Sequence, residues 1–113
     1  MENYIPRINV HILTGDRKGF KVYSTLVEER EYALACIYKK GVNNEGREGF
    51  LVFEELENLE GEVFYRSDSI AFFKDEDNAG SFCYGHGKNT LGDRMADFMR
   101  GEIGIEGLIS RES

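Results

Sequence analysis

The stretch LVEEREYALACIYKKG, residues 26–41, carries the strongest helical signals in the chain, so its reading decides the fold class. Thr25 and Glu28 stand at capping-box spacing, where a hydroxyl and a carboxylate satisfy free backbone N–H groups. Glu28 and Glu29 suit the positive end of a helix dipole, Lys39 and Lys40 suit the negative end, and Gly41 suits a C-cap. Leu26, Ala33, Leu34 and Ile37 fall on one stripe at helical spacing. These signals predict one long helix.

Upstream, IPRINVHIL (5–13) sets Ile8, Val10 and Ile12 against Asn9, His11 and Leu13, the period of a half-buried strand. GFKVYSTL (19–26) alternates again, and the glycine-bounded loop TGDRKG between them predicts a hairpin. Downstream, GVNNEGREG (41–49) is a loop by composition and GFLVFEEL (49–56) a strand. Residues 62–66 and 69–74 are two apolar stretches split by Arg66-Ser67-Asp68-Ser69, fitting either a hairpin or one bent strand. DEDNAG (75–80) reads as a turn and SFCYG (81–85) as a short strand. In TLGDRMADFMRG, Leu91, Met95, Phe98 and Met99 predict a second helix with Asn89 or Thr90 as cap and Gly101 as stop. The tail EIGIEGLIS reads as an edge strand or docking arm.

The expected architecture is therefore α+β in one domain, residues 1–113. An antiparallel sheet carries one long helix after the N-terminal hairpin and a second helix near the C-terminus. A strongly bent, barrel-like sheet fits the same order. An Ile-rich tail left unpaired is an aggregation hazard, which favours a homo-oligomer, dimer or higher.

The composition is that of a folded chain: 41% hydrophobic, 12% aromatic and one proline. No run of 18 apolar residues and no basic-then-apolar N-terminus occurs, and two cysteines make no disulfide framework, so a cytoplasmic protein is expected. The net charge of −7 argues against direct nucleic-acid binding, which needs clustered Lys and Arg. The acid is concentrated: residues 42–62 hold seven glutamates and one arginine, and EELENLEGE (54–62) holds five glutamates and no cation. This reads as a solvated acidic surface, or as a face that docks on a basic partner. Tyr23, Tyr32, Tyr38, Phe53, Phe64, Tyr65, Phe72 and Phe73 are too many for one small core, so some line a pocket or interface.

Chemistry concentrates in SFCYGHGKNT (81–90). Cys83 with His86 suggests a thiol nucleophile and its base, but in a strand the two side chains diverge. A metal set from Cys83, His86, Cys36 and His11 offers only one close pair, and no cofactor is implied. DEDNAG fails as a calcium loop, with Ala79 and His86 at ligand positions. A phosphate-binding reading survives without the P-loop motif. Gly85 and Gly87 allow close backbone approach, Lys88 supplies a cation, and Asn89 and Thr90 supply polar groups. A helix starting at Leu91 aims its positive end there, Arg94 stands one turn in, and Phe82 or Tyr84 offers a stacking surface.

Size, acidic surplus and the lack of a complete catalytic set together predict a small non-catalytic binding protein acting by occupancy, as an inhibitor, adaptor or sequestering protein. It captures either a phosphate-bearing, nucleotide-like small molecule at 81–94 or a protein partner through its acidic and aromatic face. The alternatives are a thiol- or metal-dependent hydrolase using Cys83 and His86, and a structural, oligomer-forming subunit.

Overall fold

A computed structural model describes residues 7–27, 30–58, 62–66, 68–104 and 107–108, with side chains described for 12–21, 32–57, 62–63, 68–104 and 107–108. Six strands form one antiparallel sheet. β1 (Arg7–Leu13), β2 (Lys18–Val27), β3 (Arg30–Val42), β4 (Glu48–Asn58) and β5 (Val63–Arg66) follow one another as a meander, and β6 (Ala71–Phe73) also pairs with β4. The expected N-terminal hairpin is present. β5 pairs with residues 55–57 of β4 and β6 with residues 50–52, so the two apolar stretches lie along successive halves of β4 as one interrupted strand. The sheet does not close into a barrel.

The long helix expected over 26–41 is absent; most of that stretch is β3, the central strand. Its register runs Lys18↔Tyr38 to Val27↔Arg30 on one side and Tyr32↔Asn58 to Val42↔Glu48 on the other. Ala33, Leu34, Ala35, Cys36 and Ile37 are all buried. A strand covered on both faces shows a continuous apolar run rather than alternation, and such a run fits a helical stripe equally well. Pairing along both edges outweighs the helix propensity of the alanines, leucine and lysines. Thr25 is a β2 residue, and Gly41 faces Gly49 across the ladder instead of capping a helix.

The stretch read as a turn and a strand, residues 75–85, is also different: Glu76–Gly85 is helix α1. Helical backbone continues through a π-helical segment, His86–Leu91, into α2, Gly92–Met99, which is the expected second helix. Gly101, with φ +81°, ends it as expected, its N–H bonding the carbonyl of Phe98. Ala79, Cys83, Gly87, Leu91 and Met95 are buried at a strict interval of four. On a 3.6-residue helix such a stripe drifts about 40° per step. The wider i→i+5 turn of the π segment takes up that drift and keeps the stripe on the sheet.

The core lies between this helix and one sheet face. Leu34, Cys36, Val52 and Leu56 meet Ala79, Cys83, Leu91, Met95 and Phe98, with Leu108 beneath the C-terminal end. Ile103 of the Ile-rich tail packs against the same core, and the described tail residues 102–104 and 107–108 form no edge strand; residues 105–106 and 109–110 lie outside the described residues. Among the described residues no helix is long and apolar enough to cross a membrane.

Candidate functional site

Strand alternation sends the side chains of EELE (54–57) to opposite faces of the sheet. Glu54 faces the helix and is only 1% exposed. Arg94 of α2 grips it as a fork, Nη1 to Oε1 at 2.9 Å and Nη2 to Oε2 at 3.1 Å. Arg94 Nη1 also donates to the carbonyl of Leu108 at 2.9 Å, and His86 Nε2 hydrogen-bonds Glu54 Oε2. Burial pushes the Glu54 carboxyl up, but the hydrogen bonds from His86 and Arg94 outweigh it and hold the pKa below its ordinary 4.5. Glu55 and Glu57 lie on the outer face, equally buried. Arg17 Nη2 meets Glu55 at 2.5 Å, and Lys21 meets Glu57 at 2.6 Å as an ion pair without an aligned hydrogen bond. Three of the five glutamates in EELENLEGE are therefore internal and paired, so the stretch is not the solvated acidic face its composition suggests.

The residues expected to form an anion site are divided by the helix. Phe82 is half-buried, its ring stacked on that of His86 at 5.5 Å and 11°. Tyr84 is on the surface, edge-on to Phe20, and its hydroxyl accepts from Lys88 Nζ at 3.1 Å. Asn89 and Thr90 are exposed, while Gly85 and Gly87 sit inside the helical run. Leu91 is the last residue of the π segment, which runs without a break into α2, so no free N-terminal N–H groups gather beside Lys88. Arg94 points inward and is occupied by Glu54. The glycines serve a helix packed on a sheet, not a loop around a ligand.

Cys83 and His86 part company for a different reason from strand parity. His86 turns to Glu54, whereas the Cys83 thiol lies against Cys36, and no hydrogen bond joins Cys83 to His86. Both thiols are fully buried. The hydrogen bond to Cys83, and then burial, push the Cys36 thiol far above its ordinary range, which leaves it without nucleophilic character. The His11 side chain lies outside the described residues. Among the described residues no group of three His, Cys, Asp or Glu side chains is placed to hold a metal ion.

On the other side of the sheet is a groove of about 900 Å³ at the β3–β4 turn. Leu51 and Phe53 of β4 and Phe72 of β6 form its floor. The turn residues Asn43, Asn44 and Glu45 form one wall, and Asp68, Ser69 and Ile70 the other. Asn43 holds the turn by accepting from the backbone N–H groups of Glu45 and Arg47, both at 2.9 Å. Gly49 lets β6 close over β4 here, since a Cβ on it would meet the Phe73 carbonyl at 2.5 Å and the Phe72 ring at 2.6 Å. Val42 and Ile70, 55% and 38% exposed, leave apolar surface at the two margins. Phe53 and Phe72 are two of the aromatics expected to exceed the core. The groove itself had no signal in the sequence, since it joins three segments that only the meander brings together.

No protein-family model, curated protein or solved structure matches the chain.

Proposed function

We propose that the chain is a non-catalytic binding protein that acts by occupancy, docking a protein partner in the outer groove over Leu51, Phe53 and Phe72. The observation that carries this reading is a groove with a mainly polar lining that places Leu51, Phe53 and Phe72 between the exposed apolar side chains Val42 and Ile70. Exposed apolar surface around a concave floor costs solubility and marks contact sites. The titratable groups assembled elsewhere support it indirectly. Glu54, His86 and Arg94 satisfy one another, and the two thiols are sealed, so the described chemistry is spent on holding the helix to the sheet.

The test is native mass spectrometry of the protein recovered from its own cells, beside the variant Val42→Asn with Ile70→Asn. Both positions are exposed, so an unchanged urea midpoint is expected and confirms folding. The intact chain is expected to retain a second protein subunit that the variant loses. A chain that retains no protein, or a variant that retains it equally, overturns the reading.

A further inference from the structure

We infer that the segment docked in this groove presents a lysine or arginine beside an apolar side chain. The inference rests on the docking reading above and adds the partner's chemistry. The eleven residues lining the groove include two carboxylates, Glu45 on one wall and Asp68 on the other, and neither lysine nor arginine. Among the described residues Glu45 pairs only with the Arg47 guanidinium, at a loose 3.9 Å with both side chains mostly exposed. Among the described residues no cation pairs with Asp68. Among the described residues the groove lining therefore carries net negative charge above its aromatic floor, with Lys39 and Arg47 at its margins.

The floor favours a cation as well. The face of an aromatic ring attracts a positive charge, most strongly where water is excluded. Lys39 already places its ammonium 5.7 Å from the centre of the Phe53 ring, which shows that this ring accepts a cation at the groove's margin. An incoming Arg or Lys stem lies along Leu51 and Phe72 while its head reaches Glu45 or Asp68, covering apolar surface and meeting charge at once. An acidic segment meets two like charges, and a neutral one leaves both carboxylates partly desolvated without a partner. A protein segment suits the shape better than a small amine, because the floor runs along two strands and lies open between its walls.

The test uses a displayed library of short random peptides panned on the intact chain. Binders that depend on the groove, and so are lost in the Val42→Asn, Ile70→Asn variant, are expected to be enriched in Lys or Arg next to an aromatic or aliphatic residue. Against Glu45→Lys with Asp68→Lys, such a peptide is expected to bind about tenfold more weakly near 0.1 M ionic strength, where exposed charges still interact over about 10 Å. Groove-dependent peptides without basic residues, or equal binding to the charge-reversed variant, overturn this inference and leave the docking reading standing. Absence of any groove-dependent peptide overturns both.

Discussion

Glu54 joins helix to sheet by charge as well as by packing. It is buried, and both its oxygens are bonded by side chains from 32 and 40 residues away. Glu54→Gln keeps the shape but leaves Arg94 without a counter-charge. Breaking a fully buried pair costs about 3–5 kcal/mol, and since Arg94 is a fifth exposed the expected loss is about 2–4 kcal/mol by urea unfolding at neutral pH. The pH dependence has a definite sign. The folded pKa of Glu54 lies below 4.5, so its contribution is complete above that value and is lost as pH falls through the lower, folded value. The wild-type advantage over the glutamine variant is therefore expected to shrink only in that acid range, and a gap that stays constant there shows that charge is not what was lost. Gly19 gives a second residue-scale expectation. Its φ is +149°, and a Cβ there would meet the Cys36 carbonyl at 2.1 Å, backbone against backbone. Gly19→Ala is expected to cost more than about 3 kcal/mol or to prevent folding; a normal urea midpoint contradicts this packing of β2 on β3. His86 and Arg94 were recognisable in the sequence as chemically capable side chains. Their shared partner was not, because no spacing rule connects a helix to one glutamate among five on a distant strand.

At the scale of elements, the sequence and the structure disagree in two places for opposite reasons. Ala33-Leu34-Ala35 carries helix propensity yet forms the middle of a strand, since β3 is covered on both faces and paired along both edges. The span from Glu76 to Met99 carries four glycines, each costing about 1 kcal/mol relative to alanine in a helix, yet it is helical because its apolar stripe seals the core. The hairpin, β4, the C-terminal turn of α2 and the α+β class were legible because their turn residues and periods agree with their tertiary surroundings. β3 and α1 were not, because there packing overrides the local preference. This leads to a prediction that separates helix from loop. Gly85 and Gly92 have helical φ and ψ, and a Cβ on either meets nothing within 4 Å. Gly85→Ala with Gly92→Ala is expected to raise stability by about 1–2 kcal/mol, seen as an increase of roughly 4–8 °C in Tm. Unchanged or lowered stability means that the backbone around His86 is not helical.

Across the whole molecule, the net charge of −7 divides into two populations with different duties. Glu54, Glu55 and Glu57 of β4 are buried and lie against Arg17, Lys21 and Arg94. They also fix register, since a slip of one residue carries Glu54 to the outer face and Glu55 and Glu57 toward the helix, away from their cations. Among the described residues the other carboxylates are mostly exposed, and Glu45 and Asp68 line the groove. Salt distinguishes the two populations, because exposed charges are screened far more than buried pairs. Raising NaCl from about 0.05 to about 1 M is therefore expected to change the unfolding free energy by less than about 1 kcal/mol. The same change is expected to weaken docking of a basic partner, mainly by slowing its association, since steering acts over distances that salt shortens. Chloride is the suitable anion, because sulfate strengthens apolar burial on its own account. Urea unfolding and partner association measured on the same sample give both numbers. A stability that falls by several kcal/mol in salt means that the glutamates of β4 are open to solvent, and the register argument fails with them. An association rate indifferent to salt means that the exposed acid does not guide the partner in, whatever the groove then holds.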